Sequence, residues 1–521
     1  MTSERTYQFP TLGALFIRAI NRFGDRAALS DEFQALTYRA LGDLVARYVG
    51  VFQKAGLSRG CAISMLTNNR VDAVAVIAAA MVMGLRYTPL HPKSAAEDHA
   101  FILEDAEADA LVFDEVAFEE HGRKLLSAHP RITGFAFGGA SFARNLNDEA
   151  ASVSPQALHV AAQSDDTAVL IYTGGTTGKP KGVAHAHRSL VTNLLTQLAV
   201  CELPQSLRFL AVTPVSHAAF LFILPTFLRG GEFIMRAKFD PAGFVRDLSE
   251  VSVTATFLVP TMIYALLDRP EIWKDGPGAL QTLLYGAAPM APARIAEALE
   301  AFGPILVQIY GQTESPNVIA VLGKSEHDLG RTELFKSCGA PTPGIEISLR
   351  DDDFNEVAQG SIGEICVRGP LVMQEYWRRE EETQEAMREG WLRTGDLARF
   401  DPAGYLYIED RKKDLIISGG FNVLSREVED ILHQHEGVAT ACVIGVPHPK
   451  WGEAVLAIVQ PARKEFRDAQ ALIALVREKK GAIYAPKEVE FVDALPVTAL
   501  GKPDKKALRA RYWVNAERAV N

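Results

Sequence analysis

The chain has 521 residues, 48% hydrophobic and 23% charged, and at about 100–200 residues per domain it divides into two to four structural units. That composition excludes a disordered, collagenous or coiled-coil chain. The net charge of −10 argues against general nucleic-acid affinity, although residues 411–521 are net basic on an otherwise acidic chain, a distribution that suits small polyanionic ligands.

The amino terminus, MTSERTYQF, carries an acid within its first five residues and no apolar core before a small-residue cleavage site, so a cytoplasmic protein is expected. Thr37 followed by Leu41, Leu44, Val45, Tyr48, Val51 and Phe52 has helical spacing, stopped at Gly56. Residues 62–66 and 110–113 are short apolar runs of strand length, which predict a parallel sheet covered by helices and an α/β architecture. The longest uncharged apolar stretches, 73–84 and 220–228, fall short of the ~20 residues needed to cross a bilayer, and no membrane span is expected. Residues 138–166, rich in Ala, Ser, Asn and Asp, predict a surface connection. Beyond about residue 335, stretches 345–349 and 362–367 alternate apolar and polar around turn residues, predicting a small antiparallel β unit. The last hundred or so residues mix helix (425–433, 469–480) with strand (440–446, 454–459), as in a compact α+β domain. Five cysteines (61, 201, 338, 366, 442) lie far apart with no CxxC pair, which disfavours structural zinc and a disulfide framework.

Residues 168–172 (Ala-Val-Leu-Ile-Tyr) predict a buried strand, followed at once by Thr173, Gly174, Gly175, Thr176, Thr177, Gly178 and Lys179-Pro-Lys181-Gly182, with a helix over 189–198 after it. Glycines let backbone N–H groups approach a phosphate, hydroxyls add neutral donors and lysine adds charge, so the composition fits a polyphosphate. The spacing is neither GxxxxGK[ST], since position 173 is Thr and Lys179 precedes Pro, nor GxGxxG.

The loop resembles the phosphate-binding loop of the adenylate-forming superfamily, which comprises acyl-CoA synthetases, adenylation domains and beetle luciferases. Three further segments follow in that family's order: Tyr310-Gly311-Gln312-Thr313-Glu314; residues 391–396 (Trp-Leu-Arg-Thr-Gly-Asp) with 410–420 (Asp-Arg-Lys-Lys-Asp-Leu-Ile-Ile-Ser-Gly-Gly); and Gly501-Lys502 after Leu495-Pro496. The resemblance implies a large α/β amino-terminal region with a small antiparallel barrel-like unit (1–410), a hinge (411–413) and a mobile α+β lid (414–521). It also implies the chemistry: a carboxylic acid and ATP give acyl-AMP and pyrophosphate, and CoA then gives acyl-CoA and AMP.

Residue by residue, the resemblance makes Glu314 the ligand of Mg2+, Thr313 a contact to the α-phosphate and Tyr310 the ring on adenine. Gly286, Ala287, Ala288 and Pro289 match the loop at the adenine edge. Asp396 matches the acceptor for both ribose hydroxyls, and Arg411 a second ribose contact; Asp410 stands where many relatives carry Gly. Lys502 matches the catalytic lysine that neutralises charge developing during adenylation. Taken alone, a Gly-Lys in a basic tail is an ordinary surface charge. Lys413 matches the hinge, Gly419 and Gly420 the approach to the thiol, and Trp451 the aromatic stacked on the CoA nucleotide.

For the acid, the segment 213–224 (Thr-Pro-Val-Ser-His-Ala-Ala-Phe-Leu-Phe-Ile-Leu) lies where relatives carry Pro-x-x-His-x-x-Gly. His217 is the expected gating or pocket residue, Phe220 replaces the usual glycine, and Tyr285 completes the expected acyl pocket. No acid stands here to hold a substrate ammonium, which disfavours amino acids, and no isolated cation stands out, which disfavours dicarboxylates. An apolar monocarboxylate, fatty, aryl or alicyclic, is expected. His185/His187 and His433/His435 are expected to be structural, not metal ligands. Two alternatives remain open at this point: transfer to a carrier protein instead of free CoA, and an inactive nucleotide-binding relative, against which the presence of Lys502, Glu314 and Asp396 weighs. A homo-oligomer is left open.

Overall fold

The short apolar runs of the first third become parallel strands because helices cover both faces. Ala62–Leu66 and Ala110–Phe113 are buried at every position and pair in parallel, as uniformly apolar strands do. In this computed structural model, residues 9–173, 180–273, 276–418, 421–497 and 503–513 are described. The chain divides into two compact units, one of residues 1–335, 339–346 and 368–392, the other of 336–338, 347–367 and 393–521.

The first unit holds, among the described residues, a nine-stranded and an eight-stranded sheet. The helix Tyr38–Lys54 begins at the Thr37 cap, whose hydroxyl accepts from the Ala40 N–H. The apolar stretch at 73–84 is the helix Val71–Met83, buried on every side, as a helix apolar all round must be. The stretch 220–228 is the helix Phe220–Leu228, and no described helix is long and apolar enough to cross a membrane. Within 138–166 the expected connection contains the strand Arg144–Asn145 and the helix Leu146–Ala151, ordered by burial of Leu146 and Ala150. The strand Thr167–Thr173 pairs antiparallel with Lys181–Ala186, and the helix His187–Val200 follows. The glycine-rich segment therefore joins two strands, where a P-loop would join a strand to a helix.

The second unit carries most of the strands Gly363–Arg368 and Trp391–Phe400 and the whole of Leu406–Arg411, the last two paired antiparallel. Its other sheet includes Ile416–Ser418, Val438–His448 and Gly452–Pro461. The helices Ser425–Leu432 and Ala469–Lys480 bury Val428, Leu432, Leu472 and Val476 against Val443, Val455 and Ile416 in its core.

Candidate active site

Loops at the carboxyl ends of parallel strands are where open α/β sheets collect ligands. In the first unit the expected site residues fall there. His217 follows Arg208–Ala211, Ala287 follows Thr282–Gly286 and Thr313 follows Leu306–Gln312; His91, which the sequence does not mark, follows Arg86–Leu90. Asn69, beyond the strand Ala62–Leu66, ties its own loop to the His217 loop and to Arg236 after the strand Glu232–Met235. Its amide donates to the carbonyls of Thr213 (2.9 Å) and Arg236 (3.0 Å) and accepts from the Val215 N–H (2.8 Å). Nothing in the local sequence marks Asn69, because its partners lie 144 and more residues away.

Gln312 pairs with Ser315, so Thr313 and Glu314 form the tip of a tight hairpin between Leu306–Gln312 and Ser315–Leu322. Gly311 permits that turn: a Cβ there would sit 2.5 Å from the Asn317 nitrogen, a distance no side chain tolerates. The tip is held from three sides. The Tyr376 hydroxyl donates to Glu314 Oε1 (2.7 Å), the Met373 N–H to the Glu314 carbonyl (2.8 Å), and His185 Nε2 to the Thr313 carbonyl (2.7 Å). Burial pushes the His185 imidazole down to about 4, so it is neutral. Among the described residues the buried Gln312 amide nitrogen finds no hydrogen-bond partner beside this tip. Tyr310 sits half-buried on the same strand, opposite Ala320. Ala287 adopts φ +66, a left-handed backbone that costs an L-residue roughly 1–2 kcal/mol. Tyr285 is fully buried, its hydroxyl committed to Gln308 (3.0 Å) and His327 (2.8 Å), so its side chain supports the strand below that loop.

Thr173 and Lys181 face each other across the hairpin that brackets the glycine-rich segment, and Lys181 Nζ lies 5.3 Å from the Tyr376 ring centre. Gly174, Gly175, Thr176, Thr177 and Gly178 lie outside the described residues.

His217 is partly exposed and meets the His91 ring at 4.6 Å and 88°. Burial first, then the neighbouring His91, pushes its imidazole down to about 3, and burial pushes His91 down to about 4. Phe220 opens its helix with its ring 6.3 Å from that of Tyr87, and it lines a small apolar cavity with Leu12, Phe16, Leu190, Leu194 and Leu224.

The second unit carries the remaining expected residues. Asp396 is buried, faces Arg411 across two strands and receives its Nε at 3.1 Å. Glu364, buried and unmarked in the sequence, receives the Gly395 N–H (3.2 Å), Arg393 (2.8 Å) and Lys412 (3.3 Å), which fixes the turn that presents Asp396. Burial lowers the Lys413 ammonium below the usual lysine range. Asp410 is buried and accepts from the Ser425 N–H and, at 3.2 Å, its hydroxyl, capping the start of the helix Ser425–Leu432. A glycine there offers no such cap.

Trp451 stacks on His448 (4.1 Å, 14°), with Lys487 Nζ 5.1 Å and Lys450 Nζ 5.9 Å from its ring centre. Gly419, Gly420 and Lys502 lie outside the described residues; on either side of Lys502, Val497 pairs with Pro503. The paired histidines make protein contacts, His187 Nδ1 with the Leu12 N–H, His433 Nε2 with Ala441 and His435 Nδ1 with Gly437. Among the described residues no group of three potential metal ligands forms.

Residues 16–377 match the AMP-binding enzymes, and residues 427–502 match the AMP-binding enzyme C-terminal domain. The chain is 44% identical to a medium/long-chain-fatty-acid–CoA ligase, FadD8, of Mycobacterium tuberculosis, over 98% of this chain and 91% of that protein. It is 34% identical to a feruloyl-CoA synthase of Amycolatopsis sp, over 96% and 99%. Its fold is similar to that of the amide bond synthetase McbA from Marinactinospora thermotolerans (TM-score 0.88, 32% identity, 95% and 99% covered). The chain belongs to the AMP-binding enzymes of the adenylate-forming superfamily, in its acyl-CoA synthetase branch.

Proposed function

We propose that this acyl-CoA synthetase activates an apolar monocarboxylic acid, fatty or aryl, and passes it to free CoA. The observation that carries the substrate class is the environment of His217. The ring packed on it, His91, is another neutral imidazole, and Phe220, three residues on, lines an apolar cavity. A second carboxylate or an ammonium on the substrate finds no counter-ion in these two groups, and burying an unpaired charge is prohibitive. The fatty-acid and feruloyl specificities in the names of two relatives agree with this class.

A carboxylate resists a thiol because its leaving group is oxide. Attack of the carboxylate oxygen on the α-phosphorus of ATP expels pyrophosphate and leaves AMP on the acyl carbon. The CoA sulfur then forms the thioester and AMP departs. We assign the phosphates to Thr173, Lys181 and the glycine-rich segment, adenine to Tyr310 and the Gly286–Pro289 loop, and the ribose to Asp396 with Arg411. Thr313 contacts the α-phosphate. Glu314, one carboxylate with its second partner already a neutral hydroxyl, suits Mg2+, which takes one or two carboxylates and completes its shell with phosphate and water oxygens. When bound, the ion neutralises phosphate charge. Lys502 neutralises charge on the transferring carboxylate and phosphate. Between the half-reactions, residues 414–521 reorient on the hinge 411–413 around Lys413, bringing Gly419 and Gly420 to the thiol.

Free CoA as the acceptor is supported by Trp451, whose ring has Lys487 and Lys450 beside it. An aromatic face with two cations suits a nucleotide bearing phosphates, which CoA carries and a carrier protein's pantetheine arm lacks. Lys502→Ala tests the two-step reading: adenylate formation should be lost while CoA still attacks supplied acyl-adenylate. Equal loss of both half-reactions refutes the assignment.

A further inference from the structure

The His217 ring is packed by a residue that the reaction itself does not require. His91 lies more than a hundred positions away in sequence, on the loop after Arg86–Leu90 in the eight-stranded sheet, whereas His217 follows Arg208–Ala211 in the nine-stranded one. Their perpendicular contact at 4.6 Å therefore joins loops from two different sheets.

Each loop is held independently. On the His217 side, Asn69 fixes Thr213 and Val215. On the His91 side, Nδ1 accepts from the Lys93 N–H at 3.1 Å, which places the ring proton on Nε2. The His91 carbonyl accepts from His99 Nε2 at 3.0 Å. His99 is fully buried, and with Nε2 donating, its Nδ1 is the acceptor facing His121 Nε2 at 3.1 Å. The bonds from His121 through His99 thus hold the backbone of the His91 loop, and the Lys93 N–H separately fixes the tautomer of the ring that packs on His217.

We infer that His91 is a positioning residue of the acid site, which orients His217 and through it sets the choice of acid. The inference rests on His217 facing the acid, as proposed above. An imidazole meets both demands at position 91, a flat ring against His217 and an acceptor for the Lys93 N–H. Phenylalanine keeps the first alone and asparagine the second alone.

The test measures kcat/KM for dodecanoic acid and for ferulic acid in the full-length enzyme, for His91→Asn, His91→Phe, His217→Ala and the double variant His91→Asn/His217→Ala. His91→Asn should change the ratio of the two acids by about two- to ten-fold, the weight of one perpendicular ring contact, with the KM values for ATP and CoA unchanged. His91→Phe should keep the parental ratio. In the His217→Ala background, His91→Asn should change the ratio no further, since residues that act as one unit are non-additive. An unchanged ratio in His91→Asn, or a change that persists without the His217 ring, overturns the inference while leaving the acid-site reading intact. Parental acid kinetics in His217→Ala instead refute that reading, and the inference with it. A loss spread equally over both acids assigns His91 to folding alone and also overturns it.

Discussion

Glu314 is oriented by one phenol. Tyr376 stays protonated and donating, because burial and the adjacent Glu314 push its hydroxyl well above the usual tyrosine range. A hydrogen bond to a charged group contributes about 1.5–3 kcal/mol. Tyr376→Phe should therefore lower kcat/KM for magnesium-ATP by roughly ten- to a hundred-fold and leave the KM for the acid unchanged. Initial-rate kinetics with each substrate varied check this, and a rise confined to the acid KM would contradict it. At Trp451, Lys487→Glu places a carboxylate beside the ring that Lys487 now faces at 5.1 Å. The KM for CoA should rise while that for pantetheine, which lacks the nucleotide, stays constant; parallel changes would count against a nucleotide platform.

At the scale of elements, the second unit is knit together by buried charge. Lys505 Nζ lies 2.8 Å from Glu429 and 2.7 Å from the Ser425 hydroxyl, and Arg509 lies 2.7 Å from Asp414. These bonds join the helix Lys505–Ala510 to Ser425–Leu432 and to the segment after Leu406–Arg411. Lys505→Met leaves Glu429 and Asp410 buried without their cation, and breaking such a pair costs about 3–5 kcal/mol. Urea unfolding of the variant should show that loss, and a loss below about 1 kcal/mol would place the cluster in the range of surface ion pairs.

The same elements show what the sequence made legible. Residues 62–66, 110–113 and 469–480 stand in the structure as the predicted strands and helix, because each has an uninterrupted apolar run or a clear helical period. The strand Lys181–Ala186 escaped, since its buried run from Gly182 shows no alternation. Thr313 and Glu314 were legible as a motif, but Tyr376, 62 residues from Glu314, was not. Asn69, Glu364 and His91 escaped for the same reason: their work is done by contacts that the fold creates between distant loops, and no local pattern records them.

Over the whole molecule, buried neutral histidines set the response to acid. Burial pushes His91, His99, His185, His187 and His327 down to about 4 and His217 to about 3. Unfolded, each takes up its proton near pH 6.5; folded, only below about 4. Between these values the unfolded chain binds more protons, so stability is full above about pH 6.5 and falls as pH drops toward 4, by up to about 1.4 kcal/mol per pH unit for each histidine. Urea midpoints from pH 7.5 to 5 should decline steeply with uptake of more than one proton, and a flat profile would contradict neutral burial.

The central claim is the coupling of an apolar acid, ATP and CoA in one chain. Its most direct test is mass spectrometry of the products from ATP, magnesium and a panel of fatty, aryl and short dicarboxylic acids, with and without CoA. The expected result is acyl-CoA, AMP and pyrophosphate from fatty or aryl acids, with acyl-adenylate when CoA is withheld. Turnover confined to dicarboxylates, or adenylate that CoA never converts to thioester, would contradict it.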